Sequence, residues 1–137
     1  RVSMIGIQIE TLLALRKAYE KLRLRYMADS RTEQFNGYEV LILILMASEN
    51  STSPKDFSEL LSCNPAQVTG YISRLEKLGL VRRKISRDDR RSFEFKLTSN
   101  GRIKCEEFCE ITQDIYAKNT KLSSNENREL VTLLNKL

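Results

Sequence analysis

The sequence predicts a mainly α-helical fold with one small β-hairpin, in the order α-α-α-α-β-β-α-α. Three observations predict it. Glycine and proline are scarce, with five and two copies in 137 residues, which favours long helices over tight turns. Both prolines follow a capping side chain, in Ser53-Pro54 and Asn64-Pro65, and that pairing marks a helix start. Beyond Gly79 the apolar period changes from that of a helix to that of a strand, and beyond Thr98 it changes back.

The first helix is expected over residues 4–28, where Ile5, Ile9, Leu12, Leu13, Leu15, Ala18, Tyr19, Leu22 and Met27 recur at helical spacing. Residues 29–36 are a polar connector, and Asn36 can cap a second helix over 37–49. Its run Val40–Ala47 is apolar nearly all round, as befits a helix in mid-core. A polar break at 49–53 precedes a short third helix over 54–61, and Ser62-Cys63 is a tight turn. The fourth helix runs over 65–78 and stops at Gly79. Val68, Ile72, Leu75 and Leu78 form its expected apolar face.

Leu80–Ile85 and Ser92–Leu97 read as strands. In the second, Phe93, Phe95 and Leu97 alternate with Ser92, Glu94 and Lys96, the pattern of a half-buried strand. The tip between them, Ser86-Arg87-Asp88-Asp89-Arg90-Arg91, is densely charged. Thr98 or Ser99 caps a fifth helix over 99–119, with Ile103, Phe108, Ile111 and Ile115 expected on one face. Ser123 and Glu126 have capping-box spacing at the head of a last helix that carries Leu130, Leu133, Leu134 and Leu137.

Composition narrows the function classes. There is no histidine, which removes the commonest general base and the commonest nitrogen metal ligand. The three cysteines, Cys63, Cys105 and Cys109, form no CxxC pair and are too loosely spaced for a disulfide framework. No enzyme activity, cofactor or metal is therefore expected. Cys105 and Cys109, at i and i+4, read as small hydrophobes in a helix interface rather than as a redox switch. The longest apolar run has eight residues, far short of the roughly 20 that cross a bilayer. No signal pattern opens the chain, so a soluble cytoplasmic protein without a membrane partner is expected. The first residue is Arg1, so the natural start is expected upstream.

The formal net charge is +5, and its distribution carries the argument. Residues 1–63 hold eight basic and eight acidic side chains, and residues 103–137 hold five and six. Residues 64–102 hold ten and four, so the whole positive excess lies in one stretch. That is the electrostatic footprint of a nucleic-acid binder. Two short helices, a turn and a basic hairpin make a winged helix-turn-helix, whose second helix fits the major groove of double-stranded DNA.

The groove-facing candidates on the fourth helix are Ala66, Gln67, Thr69, Gly70 and Ser73, with Arg74 following. Gln67 can pair with adenine, and Thr69 can bond a base or touch a thymine methyl. Gly70 lowers helix stability by ~1 kcal/mol against alanine, and close approach of DNA is a reason for it. Arg87, Arg90 and Arg91 at the tip suit a narrow minor groove. One of the neighbouring aspartates would orient an arginine.

The segment Asp89-Arg90-Arg91-Ser92, then Phe93–Thr98, then Gly101-Arg102, resembles the wing signature of the MarR/SlyA regulator family. Val68-Thr69, Arg74-Leu75-Glu76 and Gly79-Leu80-Val81 resemble its recognition helix and exit, and 122–137 resembles its final helix. The resemblance covers residues 36–137. It implies a homodimeric regulator on a pseudo-palindromic site, with Arg91 in the minor groove, Asp89 orienting it, and Arg74 on a phosphate or base. The family usually begins its wing with Asp-Pro, where this chain has Ser86-Arg87. The implied division is one domain, with a DNA-binding lobe over 36–98 and a helical dimerisation region from 1–35 and 99–137. A small-molecule effector is also implied by the resemblance, without any residue that identifies it. The apolar stripe of 4–28 and the terminal leucines support the dimer independently, since uncovered stripes usually pair; the alternative is that they close one monomeric core. The rival function is a winged-helix protein-interaction module that never touches DNA.

Overall fold

The computed structural model describes residues 6–48, 53–85 and 93–137. Residues 49–52 of the predicted break, the predicted hairpin tip over 86–91 and Ser92 of the second predicted strand lie outside the described residues, as does Ile5. The elements are α1 (Ile7–Ala28), a 3-10 turn (Ser30–Thr32), α2 (Gly37–Ser48), α3 (Pro54–Leu61), α4 (Pro65–Lys77), β1 (Val81–Ile85), β2 (Phe93–Leu97), α5 (Ser99–Asn119) and α6 (Ser124–Leu134). The mainly helical order with one antiparallel hairpin is the predicted one.

The chain divides into two compact units, residues 27–111 and residues 1–26 with 112–137. In the first, Val40, Ile42, Leu43 and Met46 of α2, Phe57 of α3, and Val68, Ile72 and Leu75 of α4 are buried together with Val81, Phe95 and Leu97 of the strands. α4 packs on α2, α3 and β1. Its ends are set by local chemistry. Asn64 accepts from the Ala66 N–H at 2.8 Å, and Gln67 Oε1 accepts from the Asn64 N–H at 3.4 Å, which makes a capping box. At the other end Gly79 takes φ +75. The Leu80 N–H then donates to Leu75 O and the Gly79 N–H to Glu76 O, both at 3.0 Å, the Schellman arrangement. The turn before α4 is reached through Ser62, a non-glycine residue at φ 49.

Two expectations about faces are corrected. Leu78 is 48% exposed because α4 ends at Lys77 and Leu78 is its cap. Ile103 is 63% exposed, and Cys105 takes the place expected for it beside Phe108 and Ile111 in the core. Ile103 lies five residues from Phe108, about 140° around a helix of 3.6 residues per turn, so it faces away.

The two strands pair in antiparallel register, Val81 with Leu97, Arg83 with Phe95 and Ile85 with Phe93. Their shared face begins buried at Val81, Leu97 and Phe95 and ends uncovered at Ile85 and Phe93. A tight junction joins β2 and α5 to the exit of α4. The Thr98 hydroxyl donates to Gly79 O at 2.6 Å and accepts from the Gly101 N–H at 3.0 Å, while the Thr98 N–H donates to Leu80 O at 3.1 Å. A Cβ on Gly101 would sit 1.9 Å from Leu80 O. The Leu97-Thr98-Ser99-Asn100-Gly101 run thus has a physical reason: the first turn of α5 crosses directly over the backbone that leaves α4.

In the second unit, the Tyr116 hydroxyl donates to Asn127 Oδ1 at 2.5 Å and joins α5 to α6. Ser123 and Glu126 form the predicted capping box. Those bonds from the Ser123 backbone and side chain hold the Glu126 carboxyl below its ordinary range. No residue of α1 over 7–28 is buried.

Candidate nucleic-acid interface

α4 turns Val68, Ile72 and Leu75 inward, and this fixes which residues face out. Ala66, Gln67, Thr69 and Gly70 are exposed and Ser73 is half-buried. The Thr69 hydroxyl donates its proton to Pro65 O at 3.0 Å, which leaves the lone pairs of its oxygen to accept. Gln67 contributes its carbonyl oxygen to the capping box, as above. Among the described residues, a Cβ on Gly70 would meet nothing within 4 Å. The fold itself therefore has no need of a glycine there, and the surface over it is bare backbone.

Arg74 is placed differently from its neighbours. Its guanidinium donates to Glu39 Oε1 at 2.5 Å and to Gln34 O at 2.8 Å, and it lies 5.6 Å from the centroid of the Phe35 ring. Glu39 is 2% exposed and belongs to α2. Next to this pair Tyr38 and Tyr71 stack at 5.5 Å with 20° between planes. An open depression of about 440 Å³ lies between residues 33–36 and the middle of α4. Glu39 carries no signal in a motif search. Its hint is positional: an acid just ahead of an apolar run, three residues after the capping Asn36, whose N–H it accepts at 2.7 Å.

The hairpin supplies the basic side of the surface. Arg87, Asp89, Arg90 and Arg91, expected at its tip, lie outside the described residues. Within the strands, Arg82 and Lys96 are directly opposite and both exposed. Like charges at a cross-strand pair oppose pairing, and a polyanion nearby would relieve them. Sequence reasoning counted these two residues in the positive excess without singling them out, although their outward alternation with Val81, Arg83 and Leu97 was legible. Arg83 ties the hairpin base to α4. It donates to Glu76 Oε1 at 3.2 Å and lies 4.9 Å from the Phe93 ring and 5.6 Å from the Phe95 ring.

The Cys105 thiol lies in the core rather than on this surface. Burial, and then Cys109, pushes the Cys105 thiol up to about 11, which keeps it protonated and poorly nucleophilic near neutrality. Its Sγ lies 3.6 Å from Leu43 O. Among the described residues no group of three or more acidic, cysteine or histidine side chains could hold a metal, and no helix is long and apolar enough to cross a membrane.

Comparison with known proteins agrees with this geometry. The MarR family model matches residues 36–93. PrsX, an HTH-type transcriptional regulator of Escherichia coli, is 31% identical over 100 residues, 72% of this chain and 60% of PrsX. PapX, another HTH-type transcriptional regulator of Escherichia coli, is 31% identical over 88 residues, 58% of this chain and 54% of PapX. The chain thus spans under two thirds of the length of these curated relatives. A variant of MarR from E. coli, solved in complex with operator DNA, is similar with a TM-score of 0.71 and 25% identity, covering 98% of this chain and 95% of that one.

Proposed function

This chain belongs to the MarR family of winged-helix regulators, and from that premise we propose that it binds double-stranded DNA as a cytoplasmic homodimer and regulates transcription. The lobe over 36–98 binds, and residues 1–35 and 99–137 dimerise. Ala66, Gln67, Thr69, Gly70 and Ser73 face the major groove. Arg87, Arg90 and Arg91 reach the minor groove, with Asp89 orienting Arg91. Two lobes related by a dyad suit a pseudo-palindromic site with half-sites about 10 bp apart. Family resemblance extends the proposal to a small-molecule effector, whose chemistry no residue specifies.

The observation that carries the reading is the outward row of α4. It is built of small or polar side chains around a glycine that the fold does not require, and the hairpin that follows α4 carries exposed Arg82 and Lys96. The similarity to a MarR variant solved with operator DNA supports DNA binding.

The test is enrichment of bound duplexes from a random-sequence pool, followed by affinity measured against salt. Steep loss of affinity with salt is expected, about 0.9 log units per log unit of salt for each phosphate contact. Arg91→Ala should weaken binding about tenfold. Salt-insensitive binding, or variants neutralised at Arg90 and Arg91 that act normally, would favour the protein-interaction module instead.

A further inference from the structure

We infer that Arg74 is a positioning residue, which acts through Glu39 to set α4 against α2 and makes no direct contact with DNA. This rests on the DNA-binding reading above and changes the role of one residue in it.

The carboxylate comes first. Glu39 is 2% exposed, and a charge that deep is retained where a counter-charge and hydrogen bonds compensate it. Its Oε1 accepts from the Asn36 N–H at 2.7 Å and from the Arg74 guanidinium. Its Oε2 is buried and has no hydrogen-bond partner among the described residues. Arg74 is thus the cation that compensates Glu39 among the described residues. If the guanidinium swung out to a phosphate, the carboxylate would stay buried with a single backbone donor.

The guanidinium is also held by more than charge. A second nitrogen donates to Gln34 O at 2.8 Å, and the plane lies near the face of Phe35, whose ring packs edge-on against Phe108 at 5.0 Å. One turn further along, the Tyr38–Tyr71 stack fastens the same two helices. Residues 38 and 39 of α2 therefore grip residues 71 and 74 of α4. The grip lies on one flank of α4, beside the outward row Ala66, Gly70 and Ser73. Gly70 leaves the middle of α4 with weak helical propensity, so the flank contacts decide how that row is presented.

Glu39→Gln separates the alternatives by sign. Affinity is measured by fluorescence anisotropy on a labelled duplex enriched by the wild-type chain, with melting temperature and circular dichroism taken on each variant. If Arg74 positions, E39Q weakens binding by about tenfold, R74Q does the same, and the double variant is no worse than either, since they remove one interaction. The salt slope of R74Q then stays at the wild-type value. R74K should fail to restore affinity, because a point charge cannot span Glu39 and Gln34 O together.

Three results would overturn the inference. In the first, E39Q binds as tightly as wild type or tighter, because a released Arg74 reaches a phosphate. In the second, R74Q lowers the salt slope by about 0.9 per contact while R74K restores it. In the third, the variants melt earlier but the folded protein binds normally, which leaves a stabilising role alone. Should E39Q or R74Q not fold, Tyr71→Ala, which cuts the second fastening, takes their place with the same expected weakening at unchanged slope. A wild-type chain that enriches no duplex defeats the DNA-binding reading itself, and that outcome is visible before any variant is made.

Discussion

Gly101 shows how much one missing methyl decides. The Cβ of an alanine there would lie 1.9 Å from the Leu80 carbonyl oxygen and 3.3 Å from Leu97 Cδ2. The first of these neighbours is backbone, held in place by the Thr98 N–H, and cannot rotate away. Gly101→Ala should therefore cost about 3 kcal/mol, the scale of an overpacked core, read as a lower midpoint in urea unfolding. An unchanged midpoint would mean that α5 slides freely over Leu80. The motif containing Gly101 was legible in the sequence, but its reason was not, because the clash is with a residue 21 positions earlier. The same limit hid the partner of Arg74. Charge and helical position offered Arg74 as a DNA contact, whereas Glu39 lies 35 residues away on a helix whose own periodicity says only that it is apolar.

At the scale of elements, boundaries that depend on local chemistry were readable to within a residue or two. Ser53-Pro54, Asn64-Pro65, Gly79, Thr98 and Ser123 each sit where a cap or stop was expected. Faces were less readable, because the spacing of apolar residues does not say which of them the neighbours cover. Leu78 and Ile103 are apolar at plausible spacing and still face solvent. α4 carries the sharpest element-level test. Gly70→Ala meets no atom of the described residues within 4 Å and restores helix propensity, so the free protein should gain about 1 kcal/mol. DNA affinity should fall by about tenfold at the same time if a base edge or sugar comes against bare backbone. A variant that is both more stable and equally tight would remove close approach as the reason for Gly70.

The whole molecule poses the question of what covers its apolar helices. In α1, Ile7, Leu12, Leu13 and Met27 are 67, 62, 59 and 68% exposed, and in α6 Val131 and Leu133 are 56 and 59% exposed. Uncovered apolar surface on that scale is seldom left to water, and roughly 25 cal/mol per Å² is gained on burying it. A second copy of the chain is the partner that the proposed pseudo-palindromic site would require, since one dyad would then relate both the lobes and the half-sites. The pair Leu130→Asp with Leu133→Asp changes α6 beyond its capping box and leaves the 27–111 unit untouched. In sedimentation velocity the wild-type chain should run as two copies and the variant as one. The variant should still bind a single half-site weakly, with a salt slope about half that of the wild type, because half the phosphate contacts are gone. A wild-type chain that sediments as a single copy while holding a full palindromic site would refute the dimer and leave α1 and α6 to another partner.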